Sequence, residues 1–211
     1  MADWVLVPCP GRRTHELLQL ISDVQHPEDN ICVVTTDPDP VSRQKEIKHL
    51  VHLNAELNYA KWLNAGIEYI AQIDTSARYV FITGSDTRCN ASTLNKLVNG
   101  AEAHSLVMCG PDYCGRGTHV IDKSLSRQLH YRVPPEYFLL DLRSGLKLDE
   151  QFRWWYSEDD LEMQARSIGQ VGLISDVYVA QFEEHTMNDT VESWAVEDRN
   201  KFKQKWGVEP W

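Results

Sequence analysis

Residues 154–161, Trp-Trp-Tyr-Ser-Glu-Asp-Asp-Leu, set two tryptophans and a tyrosine directly ahead of three consecutive acids, Glu158, Asp159 and Asp160. Adjacent carboxylates repel one another, so such a run is tolerated only where it is exposed or neutralised by a cation. Directly beside large aromatics it reads as a site rather than a solvated edge. The plainer reading of the same residues is a helix start, with Ser157 as N-cap, Asp160 as its capping-box partner and the acids complementing the helix dipole. Another acid, Asp86, follows an apolar run in Gly84-Ser85-Asp86-Thr87-Arg88. There it is either a hard oxygen ligand for a cation or an ordinary turn residue.

The elements that must position these groups follow from hydrophobic period. Residues 4–7 are an apolar run stopped by Pro8-Cys9-Pro10-Gly11, a buried strand entering a turn. Residues 14–21 have helical spacing with Thr14 at the cap position, and 31–36 form a second buried strand stopped by Asp37-Pro38-Asp39-Pro40. Strand, helix, strand at this spacing is a βαβ unit on a parallel sheet, whose ligands bind beyond the carboxyl ends of the strands. A short strand at 51–53, a helix over 55–73, a strand over 78–83, a helix over 92–103 and a strand over 105–110 continue the alternation. From 111 to 135 the pattern loosens into a glycine-containing loop or lid. A strand over 137–142, a helix over 161–168 stopped by Gly169, a strand region over 170–179 and a helical tail from 188 complete the chain. With no repeat and no linker, residues 1–211 read as one α/β domain of two halves meeting near residue 111.

At 211 residues with 42% hydrophobic content, the chain can bury a sizeable core. Its net charge of −10 argues against broad non-specific nucleic-acid binding. No run of 18 apolar residues exists, so no membrane span is expected. The five cysteines include no CxxC pair and read as reduced, mostly buried thiols of a cytoplasmic protein. The tail carries Trp194, Trp206 and Trp211, too many for a solvated end. It is expected either to pack on the domain or to form a subunit contact in a homo-oligomer.

Taken in order, these features resemble the GT-A-fold, nucleotide-sugar-dependent transferases of glycosyltransferase family two. Val5-Leu6-Val7-Pro8-Cys9-Pro10-Gly11-Arg12 is similar to that family's first strand and its Pro-Thr-Tyr-Asn-Arg turn. Asn58-Tyr59-Ala60-Lys61-Trp62-Leu63-Asn64-Ala65-Gly66 is similar to its helix ending in Asn-x-Gly, and residues 79–88 to the strand that ends in its metal-binding aspartate. Residues 148–152, Glu158-Asp159-Asp160-Leu161 and Arg166 to Gly169 resemble its Phe-Asp-Glu, Glu-Asp-x-Asp-Leu, Arg and Gly block, and His185 stands where the family often has a histidine. The chain departs from a full Asp-x-Asp, which would put an acid at Gly84.

The resemblance implies a Rossmann-like, mostly parallel central sheet flanked by helices, in the GT-A fold. Residues 1–110 are then the nucleotide-sugar-binding half, 111–187 the acceptor and catalytic half, and 188–211 a helical tail. It implies an inverting transfer of a sugar from a nucleotide-diphosphate sugar, UDP-linked in preference to dTDP- or GDP-linked, to a hydroxyl of a protein or glycan acceptor. Asp86 and His185 would hold the metal, Mn²⁺ or Mg²⁺, with the imidazole favouring Mn²⁺. Pro8, Pro10 and Arg12 would line one wall of the donor pocket, and Asp37 would meet the base or ribose. Asn58, Lys61, Ser85 and Asp86 complete the donor side, and Trp154, Trp155 and Tyr156 would stack on sugar faces. The base is one of three acids: aligned on Glu-Asp it is Asp159, aligned on Leu161, Arg166 and Gly169 it is Glu158, with Asp160 the later aspartate. The competing expectation is an inactive GT-A-like binding or scaffold module. A nucleotidyltransferase ranks below both, because its Gly-rich, lysine-containing phosphate loop is absent.

Overall fold

The computed structural model describes residues 3–38, 41, 44, 45, 47–54, 57–121, 132–181 and 189–210, with the side chains of 28 and 189–191 left aside. The expectations placed on His185, and the middle of the loosened 111–135 segment, lie outside the described residues.

Four strands carry the first half: β1 (Asp3–Pro8), β2 (Ile31–Thr35), β3 (His49–His52) and β4 (Tyr79–Thr83). Every residue of β2 and β4 is buried, which is why they read as continuous apolar runs rather than alternating ones. β1 lies between β2 and β4 and is parallel to both, and β3 extends the sheet beyond β2. The chain thus winds outward through β2 and β3, then returns to the other side of β1. That reversal opens a crevice at the carboxyl ends of β1 and β4.

The strands β6 (Leu106–Pro111), β7 (His119–Val120), β8 (Tyr137–Asp141) and β9 (Gln170–Ile174) complete an eight-stranded sheet in the order β3-β2-β1-β4-β8-β6-β9-β7. β8 is antiparallel to both β4 and β6. A second, two-stranded sheet pairs β5 (Thr87–Cys89) with β10 (Val179–Gln181). The sequence pattern did not separate it, because three-residue strands carry no usable period.

Helices α1 (Thr14–Val24) and α3 (Thr93–His104) pack on one face of the sheet, against Val5, Val7, Val33 and Phe81. Helices α2 (Tyr59–Ile73) and α4 (Ser157–Ile168) pack on the other, against Trp4, Leu6, Val34, Val80 and Ile82. The alternation of neighbouring strand residues between the two cores is the two-residue period of a strand. α1 buries Leu17, Leu20, Ile21 and Val24, the stripe a 3.6-residue period gives. α2 begins at Tyr59 rather than at 55, because the Asn58 side chain accepts from the Lys61 amide and caps it. Gly66 lets α2 approach the sheet closely; a Cβ there would stand 2.3 Å from Leu6 Cδ1. The last helix, α5 (Asp189–Trp206), lies back on the acid-bearing end of the domain, where Phe202 is fully buried against Phe152 and Tyr156. The tryptophan-bearing tail therefore packs on its own domain.

Candidate active site

A cavity of about 350 Å³ occupies the crevice at the ends of β1 and β4. That size suits a small-molecule ligand. Its walls come from both halves of the chain.

The β1 end supplies Pro8, Pro10 and Arg13. After Pro10 the chain makes one 3₁₀ turn, Gly11–Arg13, which turns Arg12 out to solvent and Arg13 into the cavity. The sequence pointed to Arg12; the structure places its neighbour there. Asp37 lies against Gly11, where a Cβ would stand 2.7 Å from its carboxylate oxygen, and is exposed outside the cavity wall. The β4 end supplies Gly84, Ser85 and Asp86. Asp86 is 7% exposed, and its Oδ2 is ion-paired with Arg13.

The start of α2 supplies Tyr59 and Trp62, which were not singled out in the sequence. Burial, with Glu158, Glu136 and Asp86 nearby, pushes the Tyr59 phenol well above its usual range. Asn58 and Lys61 are placed elsewhere. Besides capping α2, Asn58 donates through Nδ2 to the Glu150 carbonyl at 3.0 Å, and Lys61 is exposed. Asn64, of the Asn-x-Gly ending, is buried and exchanges two hydrogen bonds of 2.9 Å with the Leu148 backbone. The asparagines of this motif therefore tie α2 to the segment 148–150.

The aromatic turn supplies Trp154, Trp155 and Tyr156, and the acid run Glu158 and Asp159. The Trp154 ring lies 6.1 Å from that of Tyr59 and 6.3 Å from that of Trp62, so the aromatics form one wall. The turn is fixed from behind by Asp198 of α5. This carboxylate is fully buried, and its Oδ2 accepts from the amides of Arg153, Trp154 and Trp155 at 2.9, 3.1 and 3.2 Å. Lys201 Nζ donates to its other oxygen at 2.9 Å. Tyr156, which follows, is held in the left-handed region at φ 63°. That conformation costs a bulky residue on the order of 1–3 kcal/mol and persists only where the surroundings enforce it.

Ser157 is not the helix cap. Tyr156 precedes the helix, and the Ser157 hydroxyl donates instead to Glu158 Oε2 at 2.7 Å. Nor are the acids a solvated edge: Glu158, Asp159 and Asp160 are 9%, 5% and 0% exposed. Each is handled differently. Asp160 points away from the cavity into α5, accepting from Trp206 Nε1 at 2.7 Å, with Lys205 Nζ at 2.8 Å. Glu158 lines the cavity, but burial pushes its carboxyl up to about 8, against the Ser157 hydrogen bond and reinforced by Asp159 and Glu136. It therefore holds a proton at neutral pH. Asp159 lines the cavity as the partner of Arg132, whose Nη1 lies 3.2 Å away. Arg132, Pro135 and Glu136 close the cavity from the segment before β8, which Glu162 anchors by accepting from the Val133 amide at 2.9 Å. No period or motif marks Arg132 in the sequence.

Among the described residues, no three His, Cys, Asp or Glu side chains group as a metal centre. Asp86 does suit the role of the one protein carboxylate on a hard cation that takes its other oxygens from a substrate's phosphates, a common arrangement for Mg²⁺. Also among the described residues, no helix is long and apolar enough to cross a membrane.

No protein-family model and no curated protein sequence matches the chain. Solved structures do. S. aureus TarS 1–349 in complex with UDP-GlcNAc superposes with a TM-score of 0.62 at 17% identity, over 88% of this chain and 60% of that one. The same protein with UDP gives 0.61 at 15% identity, over 97% and 72%. The mannosyltransferase PcManGT from Pyrobaculum calidifontis, in complex with GDP-Man and Mn²⁺, gives 0.62 at 14% identity, over 99% and 65%. The chain thus spans 60% of the length of the first of these structures. Sheet order, crevice and superposition agree: the chain has the GT-A fold.

Proposed function

We propose that the chain is a nucleotide-sugar-dependent glycosyltransferase that works by a single inverting displacement, with Asp159 as general base. The observation that carries this reading is that Asp86, at the end of β4, and Asp159, at the start of α4, line one cavity with an aromatic wall. The complexes of the fold neighbours with UDP-GlcNAc and GDP-Man support a nucleotide sugar as the donor.

Of the three adjacent acids, Asp159 faces the cavity and is paired there with Arg132. Asp160 is held by Lys205 and Trp206, and Glu158 carries a proton at neutral pH. In the reaction the acceptor hydroxyl oxygen bonds to the anomeric carbon as the bond from that carbon to the phosphate oxygen breaks. The hydroxyl proton passes to Asp159 and then to solvent, and the nucleoside diphosphate leaves. Trp154, Trp155 and Tyr156 offer ring faces to the sugar, and protonated Glu158 offers it a hydrogen-bond donor. Asp86, with His185 as the expected second ligand, would hold Mn²⁺, which when bound neutralises the leaving diphosphate. The acceptor is a hydroxyl of a protein or glycan, and UDP is the preferred nucleotide.

The test is release of nucleoside diphosphate from UDP-, GDP- and dTDP-sugars with Mn²⁺. Turnover is expected with at least one donor. Asp159→Asn should lower it by about 10²–10⁴-fold, the usual worth of a positioned base. Turnover that survives in Asp159→Asn would remove the base assignment, and binding of a nucleotide without turnover would favour a binding module.

A further inference from the structure

The cation beside Asp86 has no counterpart in the reading of the sequence. Arg13 and Asp86 lie in the turns that follow the adjacent parallel strands β1 and β4, and their ion pair joins the two turns. Their side chains are 13% and 10% exposed, and both line the cavity. Gly84 belongs to the same arrangement. A Cβ at position 84 would stand 2.6 Å from Asp86 Oδ1, so a side chain there would collide with the carboxylate as Arg13 holds it.

We propose that this pair is a partner-exchange device that couples cation binding to diphosphate binding. The inference rests on reading the cavity as a nucleotide-sugar site. A divalent cation brought to Asp86 meets the guanidinium already on that carboxylate, and two positive charges side by side in a half-buried cavity repel strongly. A diphosphate removes the conflict. Its oxygens accept Arg13, whose planar fork suits phosphate, and Asp86 passes to the cation. Cation alone and nucleotide alone therefore bind weakly, each competing with the pair, and together they bind tightly. Arg13 is then a residue that makes the two ligands mutually dependent, and by linkage the coupling is the same in either order of addition.

The experiment measures Mn²⁺ binding by electron paramagnetic resonance without nucleotide. Titration calorimetry of UDP, GDP and dTDP with and without Mn²⁺ runs alongside, on the wild type, Arg13→Met, Arg13→Gln, Arg13→Lys and Asp86→Asn. Removing the guanidinium should tighten binding of Mn²⁺ alone by roughly tenfold, within the ordinary range of coupling between sites. The advantage that Mn²⁺ gives to nucleotide binding should shrink by a similar factor. Arg13→Lys, which keeps the charge, should leave Mn²⁺ alone as weak as in the wild type, and Asp86→Asn should abolish the response. Arg13→Gln keeps a polar group at the position should the methionine variant fail to fold. Unchanged Mn²⁺ affinity in the neutral variants, with nucleotide still bound, overturns the exchange alone. A wild type that binds none of the three nucleotides with or without Mn²⁺ removes the reading of the cavity, and the exchange with it.

Discussion

The two walls of the cavity are built on different principles. The wall at β1 and β4 is held by neighbours in the sheet: Pro8 and Asp86 stand where they do because their strands pair in register and then stop. The wall of Trp154, Trp155, Tyr156 and the acids has no strand beneath it. It is a turn and a helix start held by a helix some forty residues later in the chain, through Asp198, Phe202, Lys205 and Trp206. A strand end can be legible from local pattern. A turn stabilised by a distant carboxylate is not, because nothing within the turn shows where its amides find their acceptor.

This contrast can be broken experimentally, most directly at Asp198. Asp198→Ala leaves three amides without their acceptor, while Lys201 keeps the Gln151 carbonyl, and should destabilise the domain by about 1–3 kcal/mol, the usual cost of leaving hydrogen-bonding groups unsatisfied. It should also loosen the aromatic wall, read as a change in tryptophan emission. A loss under about 0.5 kcal/mol, within the range of an ordinary surface substitution, would mean that the turn holds itself.

At Glu158 the expected effect depends on pH. The folded state keeps this carboxyl protonated to about 8, against an ordinary value of 4.5. The folded chain thus binds more protons than the unfolded one across that window, and stability falls as pH rises through it. Asp159→Asn tests the base, whereas Glu158→Gln tests this proton. The melting temperature of Glu158→Gln minus that of the wild type should grow from pH 5 to pH 8 and level off above. A difference that stays flat would show that Glu158 is ionised throughout.

The smallest change is expected at the start of α2. Asn58→Ala removes a helix cap and a bond to Glu150, and should cost about 0.5–2 kcal/mol of stability by denaturant titration. Nucleotide affinity should stay within twofold or so, because Asn58 lies outside the cavity wall. A large loss of affinity with little loss of stability would return Asn58 to the donor site.

Within the motifs that the resemblance marked, the residues that line the cavity differ in part from those it singled out. In the turn after β1 it pointed to Arg12, and the single 3₁₀ turn placed Arg13 in the cavity. In the helix it singled out Asn58 and Lys61, and the cavity took Tyr59 and Trp62 from between and beside them. Helical period fixes which residues share a face, and only packing decides which face meets the cavity. The acids show the same limit. Their run put Glu158 and Asp159 on the cavity, while a hundred-degree turn per residue sent Asp160 to α5 and left Asp159 beside Arg132.

The sequence by itself determined the alternation of buried strands and amphipathic helices, and with it a sheet whose strand ends carry Pro8, Pro10 and Asp86. These depend on short-range period and on residues that stop a strand, both written locally. Only the tertiary structure decided the rest. It brought Arg13 onto Asp86 and Arg132 onto Asp159, gave Glu158 its proton, and placed Asp198 behind the aromatic turn. Each of these is an electrostatic or hydrogen-bonding relation between groups far apart in the chain. Such relations have no sequence period, and their strength depends on a burial that exists only once the chain has folded.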